Sequence, residues 1–225
     1  MSIEYNLKEI KKSIPKNVTL VAVSKTKPLE DINKAYELGQ RDFGENKVQE
    51  LIDKEEALPK DIRWHFIGNL QTNKVKYLVN KVYLIHSLSS KKLLEKIESE
   101  FSKNNTIANL LIQINIGKEE SKGGIFEEDL NDFIIEVEKC SNVKVKGLMA
   151  IIPKGNDEEN RFYFKKMKKI FDDLSIKSYK NITMEVLSMG MTHDFKIALE
   201  EGSNLVRIGE GIFGKRNIVG GLTNG

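Results

Sequence analysis

The strongest constraint on the fold is a regular alternation of short apolar, β-branched runs with longer amphipathic segments. This rhythm is typical of strands and helices that alternate around a parallel sheet. Most runs are nearly continuous in apolar residues, as expected of strands that are covered on both faces. The eight runs span residues 18–23, 41–44, 63–67, 82–86, 109–116, 145–150, 183–187 and 205–208, and the second is the weakest.

Helix signals fill the intervals between these runs. Pro28 suits the first turn of a helix over 29–38, and Gly39 can end that helix. Eight strand and helix units in 225 residues match a (β/α)8 TIM barrel with an extra N-terminal helix, and a doubly wound open sheet is the alternative. We expect one domain over residues 1–225. The other predicted helices span 45–58, 70–79, 89–101, 126–140, 160–174 and 192–201, with an exposed loop over 153–159.

The composition excludes several classes of protein. The 36 basic and 33 acidic residues are interleaved, which argues against a nucleic-acid surface. No run approaches the roughly 20 apolar residues that span a bilayer, and the polar N-terminal segment is unlike a signal peptide. We therefore expect a cytoplasmic protein that binds neither nucleic acid nor membranes.

Known catalytic motifs are also missing from the sequence. Cys140 is the only cysteine, so neither an internal disulfide nor a thiolate zinc cluster can form. The three histidines lack a metalloprotease spacing, and we expect no metal. The dinucleotide, nucleoside triphosphate and serine-hydrolase motifs are absent as well.

Lys25 is the first candidate for chemistry, because it follows the apolar run 18–23 at a predicted strand end. Ligands of parallel α/β folds collect at the carboxyl ends of strands. Partial desolvation there would favour the neutral amine that forms a Schiff base, whereas an ordinary strand-end lysine would place its ammonium group in water. Lys27 competes with Lys25, but it precedes Pro28 and is expected to begin the next helix.

Two glycine-containing turns follow the last two predicted strands. Residues 188–192 combine Gly190, where the backbone can approach a ligand closely, with the hydroxyls of Ser188 and Thr192. Gly209 and Gly211 supply the second turn. Phosphate sites in TIM barrels are common after the last two strands, although glycines there can also serve only to make tight turns.

Arg207 lies inside the last apolar run, where a charged side chain is costly unless it meets an anion, a carbonyl group or a ligand acceptor. A structural salt bridge is the competing explanation. His65 and His86 are candidates for acid–base groups.

Six ordered segments of the chain resemble the pyridoxal phosphate homeostasis protein family, whose barrel is that of the alanine racemase N-terminal domain and other fold-type III pyridoxal enzymes. The likeness spans nearly the whole chain. The segments are AVSKTKP at 22–28, FGEN at 43–46, WHFIG at 64–68, GLMA at 147–150, LSMGMT at 187–192 and VRIG at 206–209.

The resemblance implies pyridoxal 5′-phosphate (PLP) as the cofactor, held as an internal aldimine on Lys25. Its phosphate would lie against Thr192 and the backbone around Gly209 and Glu210, and Arg207 would face the pyridine nitrogen. An arginine at that position discourages protonation of the ring nitrogen and weakens the ring as an electron sink. The complete implied cofactor site is Lys25, Asn46, His65, Met149, Ser188, Gly190, Thr192, Arg207, Gly209 and Glu210.

Two positions depart from the family pattern. Many members have serine in place of Thr192, which retains the hydroxyl, and a small hydroxyl residue is more usual where this chain has Glu210. The Glu210 carboxylate would oppose the phosphate unless it points away and leaves its backbone N–H as the useful group.

The resemblance also bears on activity. Full racemases of this fold add a second domain that supplies an acid–base tyrosine across a dimer, whereas only eleven residues follow Gly214 here. We therefore expect a monomer that binds PLP without robust catalysis, acts in vitamin B6 and amino-acid homeostasis, and has PLP-dependent apoenzymes as partners. The alternatives are a PLP-dependent racemase or decarboxylase acting on an unidentified amino acid, and a cofactor-free Schiff-base aldolase.

Overall fold

The computed structural model of the chain describes residues 2–119 and 122–215, so the C-terminal end of the expected domain, 216–225, lies outside the described residues. Eight parallel strands close into a barrel in sequence order. Closure is made by β8 pairing with β1, with Val21 opposite Arg207. The barrel prediction is confirmed, and the open sheet is wrong. The strands are β1 Thr19–Val23, β2 Asp42–Glu45, β3 Arg63–Phe66, β4 Leu84–Leu88, β5 Ala108–Ile114, β6 Val143–Ala150, β7 Ile182–Ser188 and β8 Leu205–Ile208.

The two faces of the strands bury different sets of side chains. Leu20 and Ala22 of β1 point outward and pack in one large cluster with residues of the surrounding helices, such as Ile32. Val21 points inward and joins a smaller cluster that fills the barrel interior with Leu84, Leu111, Met149 and Leu205. Because side chains alternate along a strand, polar residues that lie two positions from these interior residues also point into the barrel.

Helices surround the barrel, and none in the described part of the chain is long and apolar enough to cross a membrane. The predicted extra N-terminal helix is present as α1, which begins after its N-cap Ser2 and packs on α2 and α8. Asn6 of α1 donates to the carbonyl of Ile212 at 3.1 Å. The α-helices are α1 Ile3–Ser13, α2 Leu29–Glu37, α3 Val48–Ala57, α4 Lys91–Lys103, α5 Leu130–Glu138, α6 Asp157–Ser175, α7 Phe195–Glu200 and α8 Glu210–Phe213.

Several predicted helix boundaries are wrong. The predicted α-helix over 70–79 is a 3-10 helix, Thr72–Leu78, whose buried residues Val75 and Leu78 are three apart and so match its three-residue turn. The loop predicted over 153–159 ends early, because Asn156 and Glu159 form a capping box that begins α6 at Asp157.

Helices α3, α4, α5 and α7 begin later than predicted. The helix over 45–58 starts at Val48, since Glu45 is still the last residue of β2. Similarly, the helix over 192–201 starts at Phe195, because the preceding residues form the turn after β7.

Candidate functional site

Lys25 lies two residues beyond β1 at the carboxyl end of the barrel and is half-buried. The next residue, Thr26, has the left-handed φ of 65° that is uncommon outside glycine. Its backbone N–H donates to Glu50 Oε1 at 2.5 Å, which holds this conformation. Lys27 Nζ instead donates to the carbonyl of Phe213 at 3.0 Å, at the end of α8. Lys27 is therefore engaged at the end of α8.

A buried ion pair holds Ser24, the residue before Lys25. Lys54 Nζ of α3 lies 2.7 Å from Glu45 Oε1 and 2.8 Å from the carbonyl of Ser24. Ser24 Oγ donates to the same Glu45 oxygen at 2.6 Å. Burial raises the pKa of Glu45, and the Lys54 ammonium partly offsets this effect. Lys25 thus lies between two residues that are tied to α3.

The turn after β7 requires glycine at position 190. Gly190 has a φ of 93°, and a Cβ there would lie 2.6 Å from the Cβ of Ala198 in α7. Its carbonyl accepts a hydrogen bond from the Arg207 backbone N–H at 3.0 Å. The turn is therefore pressed between α7 and β8.

The turn after β8 meets both the β7 turn and the end of β1. The backbone N–H of Gly211 donates to Thr192 Oγ1 at 3.3 Å. A Cβ on Gly209 would lie 3.1 Å from the carbonyl oxygen of Val23, two residues before Lys25. Glu210 is exposed to solvent. The two glycine turns and the Lys25 segment therefore form one continuous surface.

Arg207 is buried inside the barrel, with 4% of its surface exposed. Its Nη1 donates to Ser188 Oγ at 2.5 Å and its Nη2 to the carbonyl of Ala150 at 2.9 Å. Among residues 2–119 and 122–215, no carboxylate lies within 4.0 Å of its guanidinium nitrogens, so the structure does not form the salt bridge that was the competing explanation. Burial lowers the pKa of Arg207 to about 10, and Asp194 opposes this shift, so the side chain is cationic at neutral pH.

Two buried histidines, His65 and His86, contact each other next to Ser188. His65 Nδ1 lies 2.9 Å from His86 Nε2, and His65 Nε2 lies 3.0 Å from Asp42 Oδ1. His86 Nδ1 lies 3.1 Å from Ser188 Oγ. Burial, and then the nearby His65 and Arg207, place the pKa of His86 well below its ordinary value. His86 is therefore neutral at physiological pH.

Asn46 and Met149 are the remaining residues of the predicted site. Asn46 follows β2, and its Oδ1 atom is buried with no hydrogen-bond partner among the described residues. A buried amide group of this kind suits a polar ligand atom. Met149 lies in the interior cluster with Val21 and is opposite Ser188 in the sheet, so it forms part of the apolar floor.

The ten predicted residues lie in the later part of their strands or in the segments that follow them, and His65 contacts Asp42 at the start of β2. The sequence reasoning missed Asp42 and Lys54, which hold His65 and the Lys25 segment. The available signal was the weak second run, 41–44, which contains Asp42 and is followed by Glu45. In the structure both carboxyl groups lie in a strand that is buried throughout. Buried carboxylates require partners, but the sequence does not show which residues supply them.

The chain matches known proteins in both sequence and fold. The family described as "Alanine racemase, N-terminal domain" matches residues 1–217, which fits the closed barrel with its strand-end lysine. A pyridoxal phosphate homeostasis protein from Aquifex aeolicus (strain VF5) is 48% identical over 199 residues, covering 88% of this chain and 86% of that protein.

Solved structures agree with this assignment. PipY of Synechococcus elongatus PCC7942, solved without PLP, superposes with a TM-score of 0.89 at 32% identity and covers 95% of this chain and 100% of its own. The structure of PipY with PLP bound has a TM-score of 0.86 at 33% identity, with the same coverage. The chain belongs to the pyridoxal phosphate homeostasis protein family.

Proposed function

We propose that this protein binds PLP as an internal aldimine on Lys25 and acts in PLP and amino-acid homeostasis in the cytoplasm, without robust catalysis. The observation that carries the proposal is the contact between the Gly209 turn and Val23, which joins a glycine-rich surface directly to the strand that presents Lys25. In the PLP-bound PipY structure the same fold holds this cofactor.

The bond to Lys25 follows from the chemistry of the two groups. The neutral amine of Lys25 attacks the aldehyde carbon of the cofactor, a C=N bond replaces the C=O bond, and the oxygen leaves as water. Around it, Thr192 and the backbone of Gly209 and Glu210 would hold the phosphate, and the exposed Glu210 side chain can keep its carboxylate in water. Arg207 would face the ring nitrogen.

The histidines support a binding role over a catalytic one. Both ring nitrogens of His65 and both of His86 already have hydrogen-bond partners within the protein. A group that removes a proton from a substrate carbon needs a free basic nitrogen or oxygen within reach. Neither histidine offers one. PLP-dependent apoenzymes remain the proposed partners, and a monomer remains the proposed state.

The binding proposal is tested by adding PLP to the cofactor-free protein and recording the absorbance band of the lysine Schiff base. We expect Lys25→Ala to abolish the band and Lys27→Ala, the matched control, to retain it. Borohydride reduction followed by peptide mass analysis should locate the cofactor on the peptide that contains Lys25. A full band in Lys25→Ala would refute the assignment.

The absence of robust catalysis is tested separately, by incubating the PLP-loaded protein with amino acids in deuterated water. We expect exchange of the α-proton no faster than with free PLP. Rapid exchange or loss of carbon dioxide would instead favour the racemase or decarboxylase alternative.

A further inference from the structure

A continuous line of polar side chains crosses the barrel interior, from Arg207 to Asp42. The contacts run from Arg207 Nη1 to Ser188 Oγ at 2.5 Å, and from Ser188 Oγ to His86 Nδ1 at 3.1 Å. They continue from His86 Nε2 to His65 Nδ1 at 2.9 Å, and from His65 Nε2 to Asp42 Oδ1 at 3.0 Å. Arg207 lies in β8, Ser188 is the last residue of β7 and Asp42 is the first residue of β2, so this relay links side chains from separate strands across the barrel.

One arrangement of hydrogens gives every donor in the relay an acceptor. Arg207 can only donate, so the Ser188 oxygen accepts from it and the Ser188 hydroxyl donates to His86 Nδ1. His86 then carries its proton on Nε2 and donates to His65 Nδ1. His65 in turn carries its proton on Nε2 and donates to Asp42. All the donors therefore point in one direction, away from Arg207.

The charges at the two ends are opposite. The Arg207 guanidinium has no carboxylate within 4.0 Å in the part of the chain that the structure describes. Burial opposes ionisation of Asp42, but hydrogen bonds from His65 and Arg63 outweigh it and lower the pKa of Asp42. A buried cation is costly without compensation, and aligned hydrogen bonds in a low-dielectric interior polarise one another.

We propose that Asp42, His65 and His86 are positioning residues for Arg207. Through the relay they fix the orientation of the guanidinium at the cofactor ring and provide its counter-charge from Asp42 on β2. This inference rests on the proposed PLP function, because it assigns the three residues a role at the same site. Neither Asp42 nor His86 needs to touch the cofactor for this role.

The hydrogen arrangement is tested first, by long-range ¹H–¹⁵N NMR of the histidine rings in the cofactor-free protein. We expect the hydrogen of each ring to lie on Nε2. An Nδ1–H tautomer at His86 would reverse the donor direction and overturn the relay.

The effect on the cofactor is tested by titrating variants with PLP. His86→Leu breaks the relay, and we expect the PLP dissociation constant to rise about tenfold, the scale of one net hydrogen bond. His86→Gln keeps one donor and one acceptor and should restore most of the affinity. Rescue by the glutamine would not be expected if position 86 served only to fill space.

A second pair of variants separates charge from geometry. Asp42→Asn keeps an oxygen that accepts from His65 but removes the charge, so we expect weaker PLP binding. Asp173→Asn is the matched control, because it removes the same charge from an exposed pair with Lys169 on α6, and it should bind PLP like the parent.

The outcomes distinguish the two proposals. If the parent protein forms no Schiff-base band, the proposed function fails. A normal band in the parent, with unchanged dissociation constants in folded His86→Leu and Asp42→Asn, overturns the relay alone. If leucine at position 86 prevents folding, Asp42→Asn decides, since an unchanged dissociation constant in that variant contradicts the role of the Asp42 charge.

Discussion

The buried ion pair beside Lys25 makes a quantitative prediction about stability. Lys54→Met keeps most of the aliphatic stem but removes the ammonium group that lies 2.7 Å from Glu45 Oε1. Glu45 has no exposed surface, and its Oε2 atom has no partner among the described residues. Without Lys54, the Glu45 carboxylate is a buried charge that loses its main compensation. We therefore expect it to take up a proton.

The cost of that proton sets the size of the effect. An ordinary glutamate has a pKa of about 4.3, so protonating it at pH 7.5 costs about 4.4 kcal/mol. The cost falls by about 1.4 kcal/mol for each pH unit, to about 1.6 kcal/mol at pH 5.5. Because the folded pKa is raised above the unfolded one, the loss of stability grows as pH rises above the unfolded pKa. The variant should therefore be least impaired in mild acid.

Urea unfolding of the parent and of Lys54→Met at pH 5.5, 6.5, 7.5 and 8.5 measures this dependence. Lys81→Met is the matched control. Its ammonium group pairs at 2.7 Å with Glu55, the neighbour of Lys54 in α3, but is one-third exposed, so we expect a pH-independent loss of under about 1 kcal/mol. Adding Glu45→Gln to Lys54→Met should recover much of the stability at pH 7.5. An equal loss at pH 5.5 and pH 8.5 would refute the electrostatic explanation.

Three further predictions follow from single positions. Gly190→Ala should lose about 2 kcal/mol or more in urea unfolding, because its Cβ would lie 2.6 Å from that of Ala198, whereas Gly39→Ala has a similar positive φ and no atom within 4 Å and should lose only about 1 kcal/mol. Burial raises the pKa of Cys140 to about 11, so its alkylation by iodoacetamide at pH 8 should be at least about 100-fold slower than that of a free thiol, and equal rates would contradict the burial. Because the pKa of Asp42 is lowered, its contribution to stability is present above its ordinary pKa of about 4 and is lost as pH falls below it, so Asp42→Asn should unfold with a weaker acid dependence below about pH 4 than the parent.

The sequence predicts the barrel well because each strand and helix carries its own local signal. The apolar runs identify all eight strands, and Gly39, with a φ of 80°, ends α2 as predicted. The weakest run, β2, is weak for a physical reason: Asp42 and Glu45 are buried there, and their partners His65 and Lys54 are 23 and 9 residues away. A local pattern cannot show that compensation.

The site likewise contains residues that the sequence could predict and contacts that it could not. Lys25, Arg207 and the glycine turns could be predicted, because strand ends converge in any parallel barrel. The contact between His65 and His86 could not, since it depends on the register that places Leu84 beside His65 and on side chains that meet inside the barrel. The two histidines appeared in the sequence as independent acid–base candidates, whereas the structure joins them in one relay.

These arrangements bear on what the site can do. The Lys25 segment is fixed to α3 through Glu50 and Lys54, and the ring nitrogens of His65 and His86 are all engaged in holding other side chains. A protein that stores and releases a reactive aldehyde needs a well-placed amine and fixed polar contacts, but no group that transfers protons at a substrate carbon. The rings of His65 and His86 would have to break these hydrogen bonds before acting as acids or bases. We therefore expect any turnover to be slow unless a substrate or partner supplies the proton-transfer group. Measuring α-proton exchange with and without a PLP-dependent apoenzyme would therefore separate an intrinsic activity from one that needs a partner.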